Sequence, residues 1–340
     1  MKYSLIRVII PIFFAIMLSM TVVFFLDKVD IRYNTITIVT IITSFLGVFV
    51  SIFSTFLSKN LNKKEAFMYS IAVIGLPKSG KTTFITSMFG AVMHGKIRLK
   101  GYNAILKGNS TIDKVNENLS LLDKGVAIGS TTDQTLFAYR VNIEETASHF
   151  LRPKKEYQIE IGDFQGEMTQ ELIDLKTNIW RHDSDFFNWV KNANAFVFVV
   201  DLGYYLMYRN EYVADISKSL RSAWQKIIEL NDNQIPKVSK QPVLLIFNKA
   251  DVLSYGFSLS KSEIQHLAFS EDKLPEIKYS NIDIAAAKNA EEDFADLINF
   301  FNINCKNFSF NFYSSFFKDK YEYQKGLSEI CNHIFPVYVS

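Results

Sequence analysis

Residues 69–89 read as a strand, a glycine-rich loop and the start of a helix, and this succession limits the fold more than any other feature of the chain. Residues 69–74 (YSIAVI) form an apolar run typical of a buried strand. They lead into the loop at residues 75–82 (GLPKSGKT), and residues 83–89 can begin a helix. A strand followed directly by a helix is the repeating unit of α/β sheets. The succession therefore indicates an α/β fold.

The loop matches the spacing G-x-x-x-x-G-K-[ST], in which each residue type helps to hold a phosphate chain. Glycines let successive backbone N–H groups turn toward phosphate oxygens, and the helix N-terminus adds the positive end of its dipole. Lys81 would neutralise the β- and γ-phosphates, and Thr82 would offer its hydroxyl to Mg²⁺. The residues expected at the phosphates are Gly75, Lys78, Ser79, Gly80, Lys81, Thr82 and Thr83.

A second apolar run indicates which base would be bound. Residues 242–247 (PVLLIF) predict a buried strand that ends at Asn248, Lys249 and Asp251. A carboxylate at residue 251 can accept two hydrogen bonds from the N1–H and the exocyclic amine of guanine, whereas adenine presents an acceptor at N1. We therefore expect a guanine nucleotide as the ligand.

A third strand ends in a carboxylate between these two motifs. Residues 156–162 (EYQIEIG) read as a strand, and Asp163 and Gly166 follow it. Asp163 could hold Mg²⁺ through water, and the backbone N–H of Gly166 could contact the γ-phosphate. The pattern D-x-x-G is weak by itself, and its position between the other two motifs gives it meaning.

Together GLPKSGKT, DFQG and NKAD resemble the Ras-like GTPases of the translation-factor class, from about residue 69 to the C-terminus. The resemblance implies a three-layer P-loop NTPase fold with a mostly parallel six-stranded sheet, GTP or GDP as ligand and Mg²⁺ as cofactor. It also implies that residues 195–201 form a buried strand and that residues 136–143 form an antiparallel edge strand. The implied site comprises Lys81 and Thr82 at the phosphates and Mg²⁺, Asp163 on the Mg²⁺ side, Gly166 as γ-phosphate sensor, and Asn248, Lys249 and Asp251 around guanine.

Two further elements of that family have more than one candidate here. In the family, a switch threonine binds the metal together with the residues that correspond to Thr82 and Asp163. Here the switch threonine would be Thr132, with Thr131 as the alternative. A short serine-containing turn that contacts the guanine oxygen could be Ser314 and Ser315, after the alternating residues 308–312. Residues 286–288 (AAK) compete for that role but open a helical pattern, so we favour the two serines.

The chain departs from the family where hydrolysis would occur. Many Ras-like enzymes have a water-orienting glutamine after D-x-x-G, and this chain has Glu167, whose charge would face a negative γ-phosphate. We therefore expect slow hydrolysis, and the nearby Gln165 could substitute. Lys78 stands where guanylate-binding proteins carry an arginine finger, so it is either a finger or a solvated loop lysine. The catalytic candidates are Lys81, Gly166, Glu167, Lys78 and Thr132.

The first 62 residues predict a membrane anchor. Residues 8–26 and 35–57 carry no charge, and each run reaches the roughly 20 residues that a helix needs to cross hydrocarbon. A cleaved signal peptide is the competing interpretation of the first run. We predict a two-helix transmembrane hairpin at residues 1–62, lipid contact through residues 8–57, and a cytoplasmic GTPase domain at residues 63–340. The expected location is a bacterial inner membrane, with two spans.

Composition excludes several other functions. The 37 basic and 35 acidic residues give a net charge of +2, so the chain has no overall attraction for nucleic acid. Cys305 and Cys331 have no metal-type spacing, and the five histidines form no metal-hydrolase motif. We read both cysteines as buried thiols.

The sequence thus supports two functional hypotheses. The first is a membrane-anchored GTPase that acts as a molecular switch toward an unknown protein effector. The second is a nucleotide-binding membrane scaffold, or a component of a secretion or defence complex, with little intrinsic hydrolysis. Two stretches, near residues 91–128 and 254–306, exceed the compact family core, and such insertions often bind partners or regulate switches.

Overall fold

A computed structural model describes residues 64–128, 137–146, 154–164, 185–231, 240–269, 282–314 and 326–335, together with scattered positions between residues 17 and 50. The chain divides into a larger unit, formed by Ala66–Thr146 and Glu156–Ser340, and a smaller unit, formed by Met1–Glu65 and Ala147–Lys155. The hydrophobic core and the candidate site both belong to the larger unit.

Strands and helices alternate along the described chain. The strands are β1 Lys64–Gly75, β2 Tyr102–Leu106, β3 Phe137–Glu145, β4 Lys154–Asp163, β5 Ala195–Asp201, β6 Pro242–Asn248 and β7 Asn307–Phe312. The helices are α1 Lys81–Met93, α2 Asn109–Asp123, α3 Asp185–Asn192, α4 Leu202–Leu230, α5 Lys261–Phe269, α6 Ile284–Asp293, α7 Ala295–Asn304 and α8 Leu327–Ile334. A 3₁₀ helix, Ala250–Tyr255, follows β6.

The strands form one seven-stranded sheet in the order β2-β3-β4-β1-β5-β6-β7. β5 runs parallel to β1 and to β6, and β6 runs parallel to β7. β3 is antiparallel to both β2 and β4. Because the parallel strands end at the same edge of the sheet, Gly75, Asp201 and Asn248 come together at their carboxyl ends, where ligands bind in open α/β sheets.

The central strands are buried on both faces, which makes the fold three-layered. Successive residues of β5 alternate between two hydrophobic clusters, so that Phe196 and Phe198 enter one and Val197 and Val199 enter the other. Residues from α3 to α7 cover the first cluster, and residues from α1, α2 and α8 cover the second. Continuous apolar runs are the expected sequence for such strands.

The predicted six-stranded sheet requires one correction. An additional strand, β2, lies within the stretch that we interpreted as an insertion, and it pairs antiparallel with β3 from Tyr102↔Glu145 to Leu106↔Val141. β3 is therefore an interior strand, and the prediction of an edge strand at this position is wrong. β2 has only five residues, and such a short run is a weak signal in a sequence.

The predicted two-span, multi-pass membrane localisation is contradicted. A helix needs about 20 apolar residues to cross hydrocarbon roughly 30 Å thick. In the described ranges, no helix combines that length with that hydropathy. Even α4, with 29 residues, carries Arg209, Asp215 and Lys218 along its length. Most of residues 8–57, the predicted lipid-contacting stretch, lies outside the described residues.

Trp224 on α4 tests how the first cluster is held together. Its side chain is fully buried, with its ring centroid 5.6 Å from that of Phe196 and 6.2 Å from that of Phe301. We expect Trp224→Ala to lower the free energy of unfolding by about 3–5 kcal/mol, because it leaves a large cavity. Urea denaturation measures this change, and the exposed Asp215→Ala on the same helix should shift stability by no more than about 0.5 kcal/mol. If the two variants were equally stable, Trp224 would not contribute to the stability of the first hydrophobic cluster.

Candidate nucleotide-binding site

The loop between β1 and α1 has a backbone that requires its glycines. Gly80 adopts a left-handed conformation with φ of 81°, and a Cβ atom there would lie 2.5 Å from Nδ2 of Asn248. At Gly75 a Cβ atom would lie 2.9 Å from Oγ of Ser79 and 3.0 Å from the carbonyl oxygen of Val199. Any side chain at either position would therefore strain the loop or displace its neighbours.

The loop folds around its own lysine. The Lys81 ammonium is buried and donates hydrogen bonds to the carbonyl oxygens of Gly75, at 2.9 Å, and Leu76, at 3.0 Å. Ser79 is buried as well, and its Oγ has no hydrogen-bond partner within the described part of the chain. Lys78 lies in the loop before α1, where it is exposed and has a φ of 59°. Thr83 lies in the first turn of α1.

Asn248, at the end of β6, is hydrogen-bonded to this loop, and β5 lies between β1 and β6 in the sheet. Its Nδ2 donates a 2.7 Å hydrogen bond to the carbonyl oxygen of Ser79, and both groups are buried. Asn248 ends β6, and Lys249 then turns the chain with a left-handed φ of 59° into the 3₁₀ helix. One side chain thus joins the loop after β1 to the segment that carries Asp251.

Asp251 and Ser314 form a buried pair at the far end of the site. The Ser314 hydroxyl donates a 2.6 Å hydrogen bond to Oδ1 of Asp251. The backbone N–H of Ala250 also donates to the carbonyl oxygen of Tyr313, at 3.0 Å, so the two segments are joined twice. Burial raises the pKa of Asp251, and the Ser314 hydrogen bond and the Lys249 charge oppose that rise.

The competing candidate for the serine turn has a different structural position. Residues 286–288 lie in the first turn of α6, where the N–H of Ala286 donates to Oδ1 of the capping Asp283. The side chains of Ala286 and Ala287 are buried in the first hydrophobic cluster. Ser314, by contrast, is hydrogen-bonded directly to Asp251.

Thr82 and Asp163 meet on the opposite side of the loop. The Thr82 hydroxyl donates to Oδ1 of Asp163 at 3.2 Å. Burial raises the pKa of Asp163 to about 6, opposed by the Thr82 hydrogen bond and by the charges of Lys81 and Lys114. Within the described ranges, no three His, Cys, Asp or Glu residues form a metal-binding group. Mg²⁺ needs fewer, because it is usually held by one or two carboxylates and by substrate phosphates, so a hydroxyl beside a buried carboxylate fits it.

A family comparison agrees with this arrangement. The family model described as Double-GTPase 2 matches residues 69–302, well over half of the chain. The chain belongs to the Double-GTPase 2 family. The larger unit is accordingly a P-loop GTPase-type domain, and its implied ligand is a guanine nucleotide. A comparison with curated proteins found no match. The narrower assignment to the translation-factor class stays a prediction.

Several predicted site residues of the GTPase domain lie outside the described residues. They are Thr131, Thr132, Gln165, Gly166, Glu167 and Ser315. Their roles, and those of the residues located above, stay predictions about function. Where the described residues are concerned, the structure brings Gly75, Ser79, Gly80, Lys81 and Asn248 into one cluster, with Thr82 and Asp163 on one side of it and Asp251 and Ser314 on the other.

Asp201, the last residue of β5, is a site residue that no sequence motif predicted. Its side chain is fully buried, and its Oδ2 forms an ion pair with the Lys249 ammonium at 2.8 Å. Its Oδ1 accepts a hydrogen bond from the N–H of Gly203 at 2.8 Å and so caps α4. The backbone N–H of Asp201 donates to the hydroxyl of Tyr212, at 3.1 Å.

Asp201 therefore positions a lysine of the predicted guanine pocket. A signal was present in the sequence, because an acidic residue that ends a continuous apolar run and precedes a helical pattern is a typical N-cap. The ion-pair partner of Asp201 could not be predicted from this pattern, because Lys249 is distant in the sequence. It becomes adjacent only through the Asp201↔Asn248 register of β5 and β6.

Asp201 is the basis of a stability prediction. We expect Asp201→Asn to lower the free energy of unfolding by about 3 kcal/mol, because the half-buried Lys249 ammonium loses its anionic partner. Asp201→Ala should cost about 1 kcal/mol more, since the cap of α4 is lost as well. Urea denaturation measures both changes, with the exposed Asp215→Asn as the matched control. If Asp201→Asn were as stable as that control, the ion pair would contribute nothing.

Proposed function

We propose that this chain binds GTP together with Mg²⁺ and hydrolyses it to GDP and phosphate, acting as a molecular switch. The observation that carries the proposal is the 2.7 Å hydrogen bond from Asn248 to the carbonyl of Ser79. This bond holds a phosphate-binding loop and a purine-selecting segment at a fixed separation. A ligand that satisfies both must carry a phosphate chain at one end and a purine at the other.

The phosphate end would be bound by the loop and by the first turn of α1. The backbone N–H groups around Gly80 and the N-terminal end of α1 offer positive partial charge, and Lys81 adds a full one. Lys81 would exchange its two carbonyl partners for phosphate oxygens. Mg²⁺, held by Thr82, Asp163 and the predicted Thr132, would neutralise charge between the β- and γ-phosphates.

The base end would be bound by Asp251, with Lys249 alongside the purine. The Asp251 carboxylate can accept from both N1–H and the exocyclic amine of guanine, while Ser314 continues to donate to Oδ1. An uncompensated carboxylate is costly to bury, and two donors from guanine would offset that cost. Adenine would place an acceptor opposite the carboxylate and would be rejected.

Hydrolysis would use water as the nucleophile. The N–H of Gly166 would contact the γ-phosphate. Glu167 would orient the attacking water, but its negative charge would be repelled by the γ-phosphate and would slow the attack. Lys78, exposed on the loop, would offset the charge that develops on the bridging oxygen. We therefore propose a slow intrinsic rate. Loss of the γ-phosphate would release the segments around Thr132 and Gly166, and a protein effector would distinguish the two states.

A second function is favoured by Glu167 itself. If its negative charge prevents attack on the γ-phosphate, the domain would be a nucleotide-binding scaffold or complex component in which bound GTP stabilises an assembly surface. The two functions share the same binding site and differ only in turnover. Single-turnover hydrolysis distinguishes them directly.

Exchanging the purine-selecting carboxylate tests the binding site. We expect Asp251→Asn to weaken GTP binding about 100-fold, since two charge-assisted hydrogen bonds are lost. The variant should gain affinity for XTP, because an amide can donate to the C2 carbonyl of xanthine and accept from N1–H. Competition of GTP, XTP and ATP against a fluorescent guanine nucleotide measures the change.

The control for this exchange is the folded state of the variant. Burial disfavours the charged form of Asp251, so an uncharged amide should not lower the thermal unfolding temperature at neutral pH. Unchanged preference for GTP in a folded Asp251→Asn protein would refute the guanine assignment.

The residue after D-x-x-G determines the proposed slow rate. We expect Glu167→Gln to hydrolyse bound GTP about tenfold faster, because the change removes a negative charge that faces the γ-phosphate. Single-turnover hydrolysis of preloaded, radiolabelled GTP measures the rate, with the exposed Glu211→Gln as a control for charge alone. A slower Glu167→Gln variant would contradict the explanation that the negative charge of Glu167 causes the slow rate.

A further inference from the structure

The insertion between α1 and β3 is joined to both of these elements by one buried amide. Nδ2 of Asn118, on α2, donates to Oγ1 of Thr86 on α1 at 3.1 Å and to the hydroxyl of Tyr139 on β3 at 3.2 Å. All three side chains are at most 1% exposed. Both N–H groups of the Asn118 amide are used in these bonds. In so buried a position, breaking either bond would leave polar groups without a partner, and this costs free energy.

Further contacts hold α2 against the same two elements. Gly90 of α1 lets α2 approach closely, because a Cβ atom there would lie 2.9 Å from Cδ1 of Leu119. On the other side, Oγ1 of Thr111 accepts a hydrogen bond from the backbone N–H of Arg140 in β3, at 3.2 Å. The carbonyl of Arg140 accepts from the N–H of Lys107, at 3.0 Å. The insertion is thus attached to the backbone of β3 as well as to the surface of α1.

These bonds lie directly behind the proposed metal ligands. Thr86 follows Thr82 by four residues on α1, so their side chains lie on the same helix face, one turn apart. On β3, Tyr139 lies on the same face as Phe137, and Phe137 is the register partner of Asp163. One of the oxygens that Asn118 bridges is therefore one helical turn from Thr82, and the other is two residues along β3 from the register partner of Asp163.

We propose that Asn118 is a positioning residue for the Mg²⁺ site, and that the insertion sets how tightly Mg²⁺ retains the bound nucleotide. This inference rests on the proposed function. Asp163 ends β4, which is paired along its length with β3. A movement of α1 away from this strand pair would strain the hydrogen bonds of Asn118 and would separate Thr82 from Asp163. The amide opposes that movement, so the hydroxyl and the carboxylate stay at the separation that a small, rigidly coordinated cation requires.

The position of the insertion in the sequence gives this link a second consequence. α2 precedes, and β3 follows, the stretch that contains Thr132, the predicted switch residue. Both flanking elements are joined to α1 by the same side chain. We therefore expect α2 and β3 to keep their positions relative to α1 in both nucleotide states.

Nucleotide release as a function of Mg²⁺ tests the inference. The full-length chain is loaded with a fluorescent GDP analogue, and the release rate is followed from excess EDTA up to MgCl₂ concentrations about 100-fold above the wild-type half-saturating value, so that a tenfold shift lies within the titration. In Asn118→Leu, which keeps the branching and the number of heavy atoms and removes both hydrogen bonds, we expect the half-saturating Mg²⁺ concentration to rise about tenfold. Tyr139→Phe removes one hydroxyl and should raise it severalfold, and this milder variant serves if Asn118→Leu does not fold.

Val115→Ala is the matched control, because Val115 is fully buried on the same helix and contributes only apolar packing. It should lower the thermal unfolding temperature without moving the Mg²⁺ dependence, and all variants should release nucleotide at the wild-type rate in EDTA. Unchanged Mg²⁺ dependence in Asn118→Leu and Tyr139→Phe, or an equal shift in Val115→Ala, would overturn the inference. Failure of the wild type to bind guanine nucleotide would instead refute the proposed function, and the inference with it.

Discussion

The hydrogen bond from Asn248 to the carbonyl of Ser79 is the contact on which the rest of the site depends. It crosses from the end of β6 to the loop after β1, with β5 between these two strands in the sheet. Gly80 has no side chain because the Asn248 amide occupies the space that a Cβ atom would need. The loop and the segment that carries Asp251 are therefore joined directly, and preorganisation of this kind reduces the entropy cost of binding a ligand.

Three carboxylates are buried around this unit, and each is compensated differently. Asp201 is paired with Lys249, Asp251 accepts from Ser314, and Asp163 accepts from Thr82. Burial raises the pKa values of Asp163 and Asp251, which means that their charged forms lack full compensation from the protein. Buried charge of this kind is found at functional sites, where a ligand supplies the remaining compensation. A cation beside Asp163 and a donor-rich base beside Asp251 are the ligands that would do so.

Most of the central sheet was predictable, because its strands are continuous apolar runs that end in polar motifs. β5 was predicted with its observed bounds, and β6 to within one residue. β2 was not, since five residues flanked by helical patterns give too little periodicity. Asp201 and Asn118 were missed for another reason: their partners come from other elements, and only the register of the sheet and the packing of α2 bring them together. The uncharged N-terminal runs led to a predicted hairpin that no described helix supports.

The central claim is that the loop and the Asp251 segment bind the two ends of one guanine nucleotide. Calorimetric titration of the purified chain with Mg²⁺ and a non-hydrolysable guanosine triphosphate analogue, and in parallel with the adenosine analogue, tests it most directly. We predict one guanosine nucleotide bound per chain, no measurable binding of the adenosine nucleotide, and loss of guanosine binding in Lys81→Ala. Equal affinity for both nucleotides, or guanosine binding that survives Lys81→Ala, would contradict the account.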